Sequence, residues 1–344
     1  MGVQISRLAP KTEIDLETLS GKKIAVDAYN ILFQFLSIIR QRYTGEPLRD
    51  SKGGITSHLS GVFYRNIKLL ESGIKPIFVI DGEPPDFKMK VLRERQKIRD
   101  KNKIKWEEAV EKGEKEKIMT YAQGALKVTV DMVGEARKLL EAMGIPCIEA
   151  PSEGEAQASL LVRKGDAYAV GSQDIDSLLF ASPKMVRNLS ITGKRKLPHQ
   201  QMWIEIKPEL IELEKMLSEL GINQEQLVVL GILVGTDYNP GGIKGIGPKG
   251  ALKLVKEKQN LENVLKEIDW EFETDPRKIY DFFLNPPVKQ DYEIEWNEPN
   301  KDEIMKIMVD EHEFSQERIE KGVERLLEIR KSGTQSTLSG WFKK

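Results

Sequence analysis

The stretch Ala150–Phe180, APSEGEAQASLLVRKGDAYAVGSQDIDSLLF, carries two acidic pairs, Glu153 with Glu155 and Asp174 with Asp176. In each pair one residue separates the acids, and no Lys or Arg lies between them. Side chains two apart on a regular helix point away from each other, so such pairs belong at element ends, where irregular backbone can turn carboxylates together. Clustered carboxylates with no basic residues among them suit a hard divalent cation, which takes oxygen ligands. A plainer reading exists for each pair. Ser152 and Glu155 have the spacing of a capping box, and Asp174 and Asp176 could be ordinary loop acids. Three more acids shift the balance: Asp27 follows the apolar run KKIAV, Asp81 follows PIFVI, and Asp237 lies in GTDY.

The elements that must position these acids alternate. Lys22–Val26 reads as a strand, Tyr29–Arg40 as a helix, Ser57–Ser72 as an amphipathic helix and Pro76–Ile80 as a strand. Val128–Ala142 is helical in spacing, and Tyr168–Val170 is a short strand running into Gly171. Strand–helix alternation predicts an α/β fold with a central, mostly parallel sheet flanked by helices. Ligands of such sheets gather beyond the carboxyl ends of the strands. That is where Asp27, Asp81, Asp174 and Asp176 fall, so their meeting is expected from topology.

Two stretches carry positive charge. Lys88–Lys105 holds nine basic residues against Glu94 and Asp100, an excess of seven in a chain whose net charge is −1. Basic runs are commonly solvated helix faces. This one directly follows the Asp81 strand end, and a cationic surface beside an acidic metal site is what cutting a phosphate backbone needs. Residues 84–127 therefore read as an inserted helical arm. Farther on, the helical run Ile222–Val234 leads through GTDY to NPGGIKGIGPKG. Its Gly245-Ile246-Gly247-Pro248-Lys249-Gly250 matches the dinucleotide fingerprint in letters but lacks the strand that must precede it. A turn between two helices fits better, with Pro248 opening the second. Free backbone N–H groups there could hold a DNA phosphate, with Lys244, Lys249, Lys253 and Lys256 nearby. A plain connecting turn is the alternative.

Composition removes other classes. One cysteine, Cys147, excludes a disulfide framework and a cysteine zinc site. Set between Ile145 and Ile148, it reads as a buried, inert thiol. No apolar run has membrane-spanning length and no signal peptide is evident. None of His58, His199 and His312 falls in a site motif. After Lys331 a polar lead-in ends in Trp341-Phe342-Lys343-Lys344. Exposed aromatics there favour a binding partner, with docking on the protein's own core as the alternative.

IAVDAYN, FVIDGEPP, EAPSEGEAQA, VGSQDIDSL, GTDY and GIKGIGPK occur in an order that resembles the flap endonucleases, structure-specific 5′ nucleases of replication and repair junctions. The resemblance runs from Met1 into the tail. It implies that Asp27, Asp81, Glu153, Glu155, Asp174, Asp176 and Asp237 bind metal. Lys88 and Arg95 correspond to the basic pair that contacts the scissile phosphate. Phe33 stands where the family commonly has a Tyr that stacks on a base, which keeps the stacking face and drops the hydroxyl. Gly242–Lys249 is similar to the family's helix–two-turn–helix, expected over about residues 225–258 and binding duplex DNA through K+; Lys244, Gly245, Gly247 and Lys249 are its candidate contacts. Gln335, Leu338, Trp341 and Phe342 have the spacing of a sliding-clamp-binding box on a flexible tail, 331–344, beyond a single nuclease domain, 1–330. A chain ending at this box resembles archaeal members.

The implied activity is cleavage of 5′ flaps at single-strand/duplex junctions, as in Okazaki fragment maturation and repair, with 5′–3′ exonuclease activity beside it. Two Mg2+ ions, roughly 3.5–4 Å apart, are expected to serve hydrolysis and neutralise the acids. Lys88 and Arg95 would stabilise charge on the phosphoryl oxygens. The partners implied are branched DNA and a sliding clamp, with no membrane. A monomer is expected, cytoplasmic in an archaeal-like cell and nuclear in a eukaryote. Two other readings stand: a relative acting mainly as an exonuclease or on RNA, and a clamp-tethered, non-catalytic DNA-binding scaffold.

Overall fold

A computed structural model describes residues 3, 5–41, 43–189, 193–196 and 203–341. Nine strands occur among them: β1 Thr12–Glu13, β2 Lys23–Asp27, β3 Lys75–Ile80, β4 Cys147–Glu149, β5 Ala169–Gly171, β6 Lys184–Arg187, β7 Gly193–Lys196, β8 Trp203–Ile206 and β9 Glu209–Glu212. Seven form one sheet in the order β1-β9-β6-β5-β2-β3-β4, while β7 and β8 pair as a separate antiparallel hairpin. The large sheet is mostly parallel. β2 pairs with β5 through Ile24↔Ala169, Ala25↔Val170 and Val26↔Gly171, and β5 pairs with β6, both parallel. β9 adds antiparallel to β6, and β1 adds antiparallel to β9.

The register explains why these strands read as unbroken apolar runs. A central parallel strand is covered on both faces, so alternation disappears. Ile24, Ala25, Val26, Ala169 and Val170 are accordingly all fully buried. β2 includes Asp27 as its last residue, and β5 lies one residue later than Tyr168–Val170. The antiparallel edge and the hairpin carried no signal strong enough to anticipate.

The chain is laid out in two compact units, each assembled from separated stretches. Met1–Asp27, Val79–Glu94 and Glu149–Asp291 make the first; Ala28–Phe78, Arg95–Ile148 and Tyr292–Lys344 make the second. All seven candidate metal acids, Lys88 and the glycine-rich turn belong to the first unit. Phe33, Arg95 and the C-terminal stretch belong to the second.

In the second unit the arm is two helices, Met89–Glu111 (which begins in the first unit) and Lys115–Gly124. It is tied down at its base. The Trp106 indole N–H donates to the Thr44 carbonyl at 3.0 Å, Asn102 donates to Gly124 at 3.3 Å, and Arg40 donates to the carbonyls of Leu36, Gly45 and Ala122. Gly61 permits helix crossing there, since a Cβ at that position would lie 2.2 Å from the Phe35 ring. His58 is fully buried beside Glu135, with 2.9 Å between His58 Nε2 and Glu135 Oε2. The last helix, Gln316–Trp341, carries the backbone of Gln335 and Leu338; Phe342 lies outside the described residues.

Candidate functional site

Each acid of the first unit is fixed by a local backbone feature. Asp27 ends β2 and is 7% exposed. Asp81 follows β3, and its Oδ1 accepts the Gly154 N–H at 2.7 Å. This bond depends on glycine, because a Cβ on Gly154 would stand 2.5 Å from that same oxygen. We predict that Gly154→Ala pushes the Asp81 carboxylate out of place and lowers the rate of whatever chemistry this site performs by about tenfold or more. Circular dichroism should still report a folded chain, and an unchanged rate would show that the contact is incidental.

The capping box that was the plainer alternative at Ser152 does not form. Glu153 is the N-cap of the helix Gly154–Arg163, without a side-chain cap bond, and Ser152 Oγ is buried with no partner found for it. Glu155 instead accepts from Ser172 Oγ at 3.0 Å, and the same hydroxyl accepts the Asp174 N–H at 3.2 Å. The side chain is thus drawn across to the end of β5 rather than back onto its own helix. Asp176 opens the short helix Asp176–Leu179, is 7% exposed, and accepts the Val3 N–H at 2.7 Å.

Asp237 is set by a turn that closes on itself. Asn239 Oδ1 accepts from both the Thr236 N–H and its hydroxyl, at 3.1 and 2.7 Å, and Asn239 Nδ2 donates to Ile232 O at 2.7 Å. Gly235, at φ +108°, permits the return of Gly241–Gly242, whose backbone would lie 2.5 Å from any Cβ there. Thr236 and Asn239 were missed in the sequence, although a Thr three residues before an Asn between helices is a turn-forming signal.

Lys88, 9% exposed, reaches into this group. Its Nζ donates to both Glu153 oxygens, at 2.7 and 2.8 Å, and stands 3.8 Å from Asp237 Oδ2. Burial opposes its charge, but Glu153 and Asp237 outweigh it and hold the proton more tightly than usual. The acids show the reverse imbalance. Burial, then the Glu153 charge, pushes Asp81 up to about 6. Burial, then Asp237 and Asp174, pushes Asp176 up to about 8. Glu155 is driven well above its ordinary value by burial and by Asp176, Asp27 and Asp174. These influences link all seven carboxylates into one connected cluster.

No group of three or more His, Cys, Asp or Glu among the described residues is drawn together closely enough to hold a metal ion as it stands. Lys88 occupies both oxygens of Glu153. The donor set itself fits a hard cation: it offers oxygen only, Asp27 and Asp176 are buried, and burial with neighbouring negative charge raises the proton affinity of Asp81, Glu155 and Asp176.

The glycine-rich turn joins the helices Gln224–Val234 and Pro248–Lys258, with Pro248 opening the second as expected. Gly245 adopts φ +82°, and Lys244, Gly245, Gly247 and Lys249 are all exposed. A helix N-terminus with exposed N–H groups and lysines is suited to a phosphate. In the second unit, Phe33 is 39% exposed on the helix Ala28–Ile38, and Arg95 is half-buried, close enough to Arg99 to depress that guanidinium, after burial. Cys147 is partly buried, and burial pushes its thiol up to about 12, which makes it inert.

An acid cluster at strand ends, in an α/β fold with a cationic arm, defines a class of phosphate-processing enzyme, and comparison with known proteins specifies it. The XPG N-terminal domain matches residues 1–102, and the XPG I-region matches residues 144–237. Flap endonuclease 1 of Pyrococcus abyssi is 56% identical over 343 residues, 99% of this chain and 98% of the relative. That of Pyrococcus furiosus is 56% identical across 100% of both chains. Among solved structures, flap endonuclease-1 from Methanococcus jannaschii aligns with a TM-score of 0.76 and 43% identity, covering 95% of this chain and 98% of that one. The catalytic core of Rad2 in complex with a DNA substrate aligns at 0.65 and 27% identity, over 94% and 97%. The chain belongs to the flap endonuclease family.

Proposed function

We propose that this chain is a structure-specific DNA endonuclease that cuts 5′ flaps at the junction of single strand and duplex and leaves a ligatable nick. The observation that carries the reading is the connected cluster of seven carboxylates with Lys88 inserted into it. Asp27, Asp81, Glu153, Glu155, Asp174, Asp176 and Asp237 would hold two Mg2+ ions. When bound, such ions supply an activated water and charge stabilisation at the leaving 3′ oxygen.

The chain's own groups do the rest. The Gly154 N–H and the Ser172 hydroxyl aim Asp81 and Glu155, and the Val3 N–H aims Asp176. Lys88 balances Glu153 until substrate arrives, and then offers its ammonium to a non-bridging phosphoryl oxygen. By the family resemblance, Arg95 would contact phosphate and Phe33 would stack on a base. The turn at Lys244–Lys249, which is suited also to a K+ ion, grips duplex phosphates without reading bases.

Incubation with a labelled double-flap DNA and Mg2+, with and without EDTA, tests the proposal. Metal-dependent incision near the junction is the expected result, and binding without incision would favour the non-catalytic scaffold. Nicked duplex and RNA substrates measure the 5′–3′ exonuclease and RNA activities beside it. Among the described residues no helix is long and apolar enough to cross a membrane. We assign a monomer acting in the cytoplasm of an archaeal-like cell, or in the nucleus of a eukaryotic one.

The box Gln335, Leu338, Trp341 and Phe342 would tether the nuclease to a sliding clamp. Removing an aromatic anchor should weaken clamp binding by about 2 kcal/mol or more. Titration calorimetry of Phe342→Ala should show this loss, with clamp-independent cleavage unchanged. Equal affinity would remove the box from clamp recognition.

A further inference from the structure

Lys88 has a third neighbour besides its two acids. Its Nζ lies 5.7 Å from the centre of the Tyr238 ring, within the range of a cation–π contact. Tyr238 is 4% exposed, and near-perpendicular contacts fix its ring: Phe87 at 5.2 Å, Phe282 at 5.4 Å and Phe283 at 5.5 Å. Phe180 closes the box behind them, 4.8 Å from Phe283 and 6.1 Å from Phe282.

We propose that Tyr238 is a positioning residue whose ring face holds the Lys88 ammonium at the edge of the acid cluster. The inference rests on the role of Lys88 proposed above. A lysine stem has four rotatable bonds and a point charge, so it does not place its own head. Glu153 anchors it at rest, but Glu153 is itself a candidate metal ligand, so that anchor is lost whenever the carboxylate turns elsewhere. The ring face stays. An aliphatic wall would leave the ammonium desolvated and uncompensated.

The chain spacing reinforces this. Phe87 precedes Lys88 and Asp237 precedes Tyr238, so the edge contact of Phe87 on Tyr238 registers the two segments that carry the lysine and its acid.

The test is a double-mutant cycle on the full chain, read as single-turnover incision of double-flap DNA with Mg2+. Lys88→Met should slow the step by about a hundredfold or more. Tyr238→Leu should slow it about ten- to thirtyfold, the rate equivalent of a desolvated cation–π contact. Tyr238→Phe, which keeps the ring, should stay within about threefold of the parent. In the Lys88→Met background, Tyr238→Leu should change the rate by no more than about twofold, because the group it positions is gone. Flap affinity should hold throughout. An equal loss from Tyr238→Leu in both backgrounds, or a Phe variant as slow as Leu, would overturn the positioning role while leaving Lys88 in place. An unchanged rate in Lys88→Met alone would instead remove Lys88, and this inference with it. Melting temperatures accompany every variant; if Tyr238→Leu does not fold, Tyr238→Met enters the same cycle.

Discussion

Asp81→Ala should abolish metal-dependent incision, by about a thousandfold or more, while flap DNA still binds with its affinity changed less than about threefold. The reasoning starts from position. Asp81 follows a strand buried to its last residue, in the unit that also holds the other six acids, and its oxygen is held by the Gly154 N–H at 2.7 Å. Its charge acts on Glu153, Lys88 and Asp237, so its loss removes charge from the cluster around the ammonium. DNA affinity comes mainly from phosphate contacts on basic surfaces and not from carboxylates. Anisotropy with a labelled flap and single-turnover incision separate the two. If binding and cleavage fell together, Asp81 would be a structural acid.

The second expected effect is on stability, and its sign runs opposite to that of an ordinary carboxylate. Asp81 at about 6 and Asp176 at about 8 lie above their unfolded value of 3.8, and Glu155 is raised as well. The folded chain therefore binds more protons than the unfolded chain across that interval. Without divalent metal, the cluster's contribution to stability is greatest below the unfolded pKa and falls as pH climbs through about 6 and about 8. Carboxylates with lowered values, such as Glu135 with its His58 partner, act in the opposite sense at lower pH, so a scan from pH 5 to 9 isolates the cluster.

Melting in EDTA should therefore decline across that scan, and Asp176→Asn should flatten the decline. Mg2+ competes for the same oxygens, so its stabilisation should be larger at pH 8 than at pH 5. A melting temperature in EDTA that rose with pH, or a Mg2+ increment independent of pH, would show that the acids do not share one field.

Much of this was legible beforehand for particular reasons. A parallel strand buried on both faces is a short apolar run, and KKIAV and PIFVI could be read as such with the acid at the end. Pro248 after Gly247 marked a helix start because proline at that position loses no hydrogen bond. The capping box, the plainer alternative for Ser152 and Glu155, does not form because it is only a local pattern. Ser152 and Glu155 have the right spacing, yet the Glu155 carboxylate finds a better donor in Ser172, 17 residues on in sequence and adjacent through the sheet. The antiparallel strands β1 and β9 were illegible, since short polar segments become strands only when a neighbour supplies the ladder.

Residue types and their spacing alone determined that this chain holds dispersed acids at strand ends, a basic arm and a glycine turn, since those follow from periodicity and local backbone chemistry. Only the tertiary structure decided that the seven acids share one unit and one electrostatic field, because burial and proximity are properties of packed neighbours. It also decided that Lys88 reaches across 65 residues to Glu153 and lies against the face of Tyr238, contacts that no local pattern encodes.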